Sequence, residues 1–184
     1  MRVIAGSARR LLLKTTEGLD TRPTTDRIKE TLFNMLQNDL YGCSFLDLFA
    51  GSGAIGIEAL SRGAARAVFV ESGNAQTACI RENLKTTHLE DRARVLSCDV
   101  FAGLKKLEEQ GQCFDFIFMD PPYNRQLETR VLEALAGSSL VGENTVLIAE
   151  TSLETDIPAA ETLGYRIVRC KEYKTNKHIF LIKE

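Results

Sequence analysis

From residue 44 onward the chain alternates short apolar runs with longer stretches whose apolar residues recur at helical spacing. The runs fall at 44–49, 68–71, 94–98, 114–119 and 145–149; the helical stretches end near residue 60 and then cover 74–85, 100–109 and 127–136. Runs this short read as strands buried on both faces, and strands separated by amphipathic helices predict an α/β fold with a parallel, doubly wound sheet. The end of the chain breaks the pattern. Runs at 165–170 and 179–182 leave no room between them for a crossover helix, which predicts an antiparallel hairpin. A chain of 184 residues holds one well-buried domain and a small appendage; two full domains would leave neither a sufficient core.

Open parallel sheets bind ligands beyond the carboxyl ends of their strands, so those ends carry the functional reading. After the first run comes Asp47-Leu48-Phe49-Ala50-Gly51-Ser52-Gly53-Ala54-Ile55-Gly56, a literal G-x-G-x-x-G with a strand before it and a helix after. Gly51 and Gly53 permit a tight turn and let a ligand lie against the backbone near the positive end of the next helix. A helix-packing turn without a ligand has the same pattern. The second run ends at Glu71, where an acid can take both hydroxyls of a ribose, and the third at Asp99, where a carboxylate can accept from an adenine amine. The plainer readings are an exposed strand-end acid for Glu71 and a helix cap for Asp99, which can do both. Two cofactors compete for such a loop. A dinucleotide needs the helix end for its pyrophosphate, whereas S-adenosylmethionine carries no phosphate and its ammonium and sulfonium favour acids. Asp47 is an acid at the amino-acid end of that site, or else a structural one. With Asp120, four strand ends carry carboxylates, which favours the sulfonium.

The fourth run stops at Asp120-Pro121-Pro122-Tyr123. Two prolines fix φ and supply no N–H donors, so the strand cannot continue, and a carboxylate, free carbonyls and an aromatic ring are left at its end. Acceptors beside a flat ring suit a planar group bearing an NH2, such as a nucleobase amine stacked on Tyr123. A proline-rich turn that merely caps a strand reads the same way.

Ahead of the alternation, residues 1–22 have a different texture: two short apolar pieces, 2–5 and 11–13, joined by the basic turn Gly6-Ser7-Ala8-Arg9-Arg10. They predict a hairpin-like arm, with the main domain over 23–184. The Thr24-Thr25-Asp26 cluster then announces a helix whose apolar face carries Ile28, Leu32, Met35, Leu36 and Leu40. The net charge of −2 argues against a nucleic-acid partner, yet residues 1–29 and 166–184 are each net +4, so basic ends flank an acidic body. The phosphate-contact candidates are Arg9, Arg10, Lys14 and Arg22. Five scattered cysteines without a C-x-x-C spacing exclude a zinc or disulfide framework, and His88 and His178 receive no catalytic role. No apolar run reaches the roughly 18 residues of a membrane span, and the first residues lack a signal-peptide core, so a cytoplasmic protein is expected.

Thr21-Arg22-Pro23-Thr24-Thr25-Asp26-Arg27, Leu46-Asp47-Leu48-Phe49-Ala50-Gly51-Ser52-Gly53, Glu58-Ala59-Leu60-Ser61-Arg62-Gly63-Ala64 and Asp120-Pro121-Pro122-Tyr123 stand in the order and spacing of one family. The chain resembles, over essentially its whole length, the bacterial RsmD-type 16S rRNA guanine-N2 methyltransferases. The resemblance implies a Rossmann-like class I methyltransferase fold of seven strands with an antiparallel last strand, and S-adenosylmethionine as donor. It also implies methylation of a guanine 2-amino group in 16S rRNA or the assembling small ribosomal subunit; apart from the resemblance, a monomer without metal is expected. The family's cofactor contacts map onto Asp47, Gly51, Gly53, Glu71 and Asp99, and its target-base contacts onto Asp120, Pro121 and Tyr123. One departure concerns the arm: family members often carry Gly-Arg-Lys or Gly-Arg-Arg where this chain has Arg9-Arg10-Leu11-Leu12, which thins its basic character. Amino-nitrogen methylation of another nucleic acid or of a protein Gln, and a nicotinamide oxidoreductase built on the bare glycine loop, are the competing readings.

Overall fold

The computed structural model describes residues 1–16, 25–122, 127–155 and 161–184. After α1 (Asp26–Leu36) the described chain runs β1 (Ser44–Leu48), α2 (Ala54–Ser61), β2 (Arg66–Glu71), α3 (Asn74–Thr87), β3 (Ala93–Ser97), α4 (Val100–Glu109) and β4 (Phe114–Met119). It continues with α5 (Leu127–Leu135), β5 (Val141–Ser152), β6 (Tyr165–Glu172) and β7 (Asn176–Lys183). The seven strands form one sheet in the order β3-β2-β1-β4-β5-β7-β6. Neighbours pair in parallel except β7, which runs antiparallel to both β5 and β6. The predicted doubly wound sheet and terminal hairpin are both present.

Alternation along the strands divides the core in two. Phe45, Phe69 and Phe118 face one side with Leu32, Phe33, Ile57 and Ile80. Leu46, Val70 and Ile117 face the other with Leu104 and Leu132. β2, β5, β6 and β7 are longer than their apolar runs, β5 and β7 by the most. Only 146–149 of β5 pair with β4 in regular register, and a shift of register sets Phe114 against Val141. There the Thr145 hydroxyl donates to the Phe114 carbonyl at 2.6 Å and accepts from the Gly142 amide at 2.8 Å, so the irregular backbone keeps its partners. Beyond the parallel stretch, Glu150, Thr151 and Ser152 pair with His178, Lys177 and Asn176. These polar residues carry no strand signature, so β7 begins three residues before its predicted start at 179.

The amino-terminal segment is a hairpin, with Arg2 bridged to Leu12 and the Val3 and Arg10 amides bonded across it. It is not a free arm. Val3, Ala8 and Leu13 are buried in the same core as α1 and α2, and the hairpin is clamped to the end of α2. The Glu58 carboxylate accepts from the Ile4 and Ala5 amides at 2.9 and 3.0 Å, and Ser61 Oγ donates to the Ala5 carbonyl and accepts from the Ala8 amide. The Ser7 amide donates to the Ser61 carbonyl at 2.8 Å. At Gly6, which has φ of +85°, a Cβ would lie 1.8 Å from that carbonyl oxygen, so only glycine fits. The boundary drawn between residues 22 and 23, with Arg22 itself, lies outside the described residues.

Candidate active site at the carboxyl edge of the sheet

Asp47, Gly51, Gly53, Glu71, Asp99, Asp120 and Pro121 all stand at the carboxyl ends of β1 to β4, as the sequence predicts. Tyr123 lies outside the described residues. Gly51 and Gly53 have φ of +56° and +77°, the left-handed region that favours glycine. Phe49 shares that region at +60°, a strained position for a bulky residue. The strain places it on a cleft of about 180 Å3 whose lining includes Phe49, Val70, Glu71, Cys98, Asp99 and Phe101. A cleft lined by two aromatic rings, apolar side chains and two acids has the character of a nucleoside site. Phe101 was not among the predicted residues, although its place in the first turn after the Asp99 cap was available as a signal.

The acids of this edge are already engaged with backbone. Glu71 accepts from the Gly51 amide at 2.9 Å and the Gly73 amide at 2.7 Å. Asp99 caps α4, its Oδ1 accepting from the Phe101 and Ala102 amides at 3.0 and 3.2 Å. Asp47 is buried, and its Oδ2 accepts from the Gly56 amide at 2.9 Å. The Gly51 and Gly56 amides around the start of α2 are therefore taken by the protein's own carboxylates, which opposes a phosphate at this helix end.

Burial pushes the Asp47 carboxyl up from 3.8 to about 8; the Gly56 amide works against the rise and the Glu71 charge adds to it. The folded chain thus holds a proton here that the unfolded chain releases, so stability falls as pH rises through the interval between those values and is unaffected below it. Asp47→Asn retains an oxygen for the Gly56 amide. In thermal melts it should raise Tm by about 5 °C or more at pH 8 and scarcely change it at pH 4. Equal shifts at both pH values would show that Asp47 does not titrate this way.

Asp120 is half-buried at the end of β4. Its carboxyl is held well above the usual carboxylate range by burial first, then by the charges of Glu150, Asp47 and Glu128. Glu150 and Glu128 were not read from the sequence as members of the site. Both are buried.

On the predicted basic arm, Arg9 and Arg10 are exposed. Lys14 pairs with Glu82 and Arg2 with Asp26. Lys29 is wholly buried against Glu58, with Nζ at 3.3 Å. Among the described residues of the arm, Arg2 and Lys14 are paired internally, and Arg9 and Arg10 of the turn remain as exposed cations for a phosphate.

Comparison with known proteins agrees with this geometry. The family described as Conserved hypothetical protein 95 matches residues 1–182. Ribosomal RNA small subunit methyltransferase D of Haemophilus influenzae is 37% identical over 174 residues, covering 93% of this chain and 88% of that protein. The protein of the same name from Escherichia coli K12 is 34% identical over 158 residues, covering 86% and 78%. The chain belongs to the RsmD-type methyltransferase family. The solved structure of a hypothetical protein from Thermus thermophilus has a TM-score of 0.84 and 30% identity to this RsmD-type chain, covering 100% of it and 99% of its own length. The fold is the Rossmann-like class I methyltransferase fold.

Proposed function

We propose that this protein uses S-adenosylmethionine to methylate the 2-amino group of a guanine in 16S rRNA during assembly of the small ribosomal subunit. The observation that carries the reading is the position of Asp120, followed by Pro121 and Pro122, beside a glycine loop and nucleoside-sized cleft on one sheet edge. The residues present suit the cofactor: aromatic and apolar walls for an adenine, Asp99 for its amine, Glu71 for ribose hydroxyls, and Asp47 toward the methionine end, whose positive charge would draw its carboxyl to the ionised form. Bound there, S-adenosylmethionine supplies an electrophilic methyl group on a sulfonium. Asp120 and the Pro121 carbonyl are acceptors for an exocyclic amine, and their hydrogen bonds turn its lone pair away from the base's conjugation. Tyr123 offers a stacking face for a base flipped out of its helix, a contact worth on the order of 1 to 3 kcal/mol. Orientation of amine and methyl then contributes much of the acceleration. Arg9 and Arg10 supply phosphate contacts from the arm, with Lys14 and Arg22 as further candidates.

The test is transfer of tritiated methyl from S-adenosylmethionine to small subunits from a strain lacking this methylation, followed by nucleoside analysis. Label in N2-methylguanosine is the expected result. Label in another nucleoside, or in protein, would replace guanine as the acceptor and leave the amine chemistry standing.

A further inference from the structure

Behind Asp120 lies a buried polar row that the proposed chemistry has not used. Asp120 and Glu150 each follow the last paired residues of β4 and β5, Met119 and Ala149, so they sit side by side on adjacent parallel strands. Glu150 faces His178 across the β5–β7 pair. His178 Nε2 lies 3.0 Å from Glu150 Oε2, and its Nδ1 lies 3.2 Å from the Tyr173 hydroxyl. A carboxylate can only accept, so Nε2 carries the hydrogen that Glu150 receives, and the Tyr173 hydroxyl bonds the other ring nitrogen. Asn176 Nδ2 donates to Glu150 Oε1, while Asn176 Oδ1 is buried with no hydrogen-bond partner among the described residues. Flipping that amide would set two oxygens against each other. The orphaned oxygen is thus a cost accepted to give Glu150 a donor. Phe118 meets the His178 ring edge to face at 5.9 Å and walls the row from below.

We propose that Glu150 is a positioning residue for Asp120: fixed by Asn176, His178 and Tyr173, it is the negative pole that makes Asp120 the acceptor of the proton released on methylation. The inference deepens the proposed function and rests on it for the identity of the amine. In that step the amine lone pair forms the new C–N bond, the C–S electron pair leaves with sulfur, and the surplus N–H proton passes to the Asp120 carboxylate. Among the described residues, the charged and titratable groups around Asp120 are Asp47 on β1, Glu128 on α5, Glu150 on β5, His178 on β7 and Tyr173 in the β6–β7 turn. Lys177, next along β7, sends its ammonium to the Leu153 carbonyl. Burial raises Asp120 most and Glu150 is the first of the charges that raise it further. Tyr173 is pushed up to about 12 by burial and then by Glu150, so it keeps its hydrogen for His178.

The experiment follows the Asp120 carboxyl carbon by NMR in the cofactor-free full chain, labelled at aspartate, with Asp120→Asn to assign the signal. Glu150→Gln keeps the shape and removes the charge; the Asp120 midpoint should fall by about one pH unit or more. Glu150→Asp, which withdraws the charge by one methylene, should lower it by less, and it serves alone if the Gln variant does not fold. The acid limb of methyl transfer to small subunits should move down with the midpoint, while the plateau rate falls about ten-fold because a weaker base accepts the proton. A residue needed only for folding would lower the plateau without moving the limb. An unmoved NMR midpoint overturns the positioning role, and a moved midpoint with an unmoved limb overturns Asp120 as proton acceptor. If the wild-type protein leaves small subunits unmethylated, the substrate reading fails while the NMR result still decides the link between Glu150 and Asp120.

Discussion

Asp120→Ala should reduce methyl transfer by about 10³-fold or more while leaving cofactor affinity nearly intact, because it removes an acceptor for the amine and a destination for its proton together. The cofactor's recognition elements are on other strands: Glu71 at the end of β2, Asp99 capping α4, and the loop of Gly51 and Gly53. Loss of turnover through unfolding is also separable. Asp120 is held above the ordinary carboxylate range in the folded chain, so it costs stability as pH rises from its unfolded value through its folded one. Its removal relieves that cost, and the variant should melt no lower than wild type at neutral pH. Asp120→Asn sharpens the result. The amide retains a carbonyl for the substrate amine, so it should keep more activity than Ala, but it cannot take a proton in this range and the acid limb of the pH–rate profile should disappear. Wild-type turnover by Asp120→Ala, measured with calorimetric cofactor binding alongside, would remove Asp120 from the chemistry.

Much of the sheet was legible because parallel strands buried on both faces read as largely apolar runs, and β1, β2 and β4 come close to that, while the edge strand β3 is mostly exposed or half-buried. The acids at their ends were legible because the topology of an open sheet makes strand ends special whatever the family. What escaped reading depends on pairing between distant segments. Glu150 and His178 are 28 residues apart, and only the antiparallel register of β5 with β7 sets them opposite one another. Asn176, Lys177 and His178 look like a turn in sequence; they form a strand because their polar side chains find partners in the fold. The glutamate in Glu58-Ala59-Leu60-Ser61-Arg62-Gly63-Ala64 likewise served only as a mark of resemblance. Its physical role is visible once the hairpin returns to it, 53 and 54 residues from its amide donors. The charge counted over residues 1–29 is likewise only partly at the surface, because a charge count does not register that Lys29 is inside the protein.

Glu58→Ala should be among the most damaging single changes in the molecule outside the strand ends. Its carboxylate is wholly buried and serves two hairpin amides, the Lys29 ammonium and Arg62 Nε at 2.8 Å. Lys29 Nζ in turn donates to the Arg2 carbonyl at 2.6 Å. Removing one partner of a buried ion pair costs roughly 3 to 5 kcal/mol because the other charge is stranded, which for a chain of this size lowers Tm by about 10 °C. The pH dependence identifies the cause. Burial already lowers the Lys29 ammonium from 10.5, and Glu58 is the chief influence opposing that fall. Without Glu58 the folded chain holds this proton more weakly still, whereas the unfolded chain keeps it up to the ordinary value. Stability of the variant should therefore recover as pH rises from 7 toward 10.5, while an effect due only to lost backbone hydrogen bonds would be flat. Adding Lys29→Met should recover part of the lost stability at neutral pH, since it removes the stranded charge. It should not restore function to the same degree. The Ile4 and Ala5 amides stay unanchored in the double variant, so the turn bearing Arg9 and Arg10 is held against α2 through Ser61 alone and is less firmly placed. Affinity for small subunits should remain reduced while cofactor affinity stays near wild type. Full recovery of subunit binding by the double variant would show that the clamp stabilises the fold without positioning the arm.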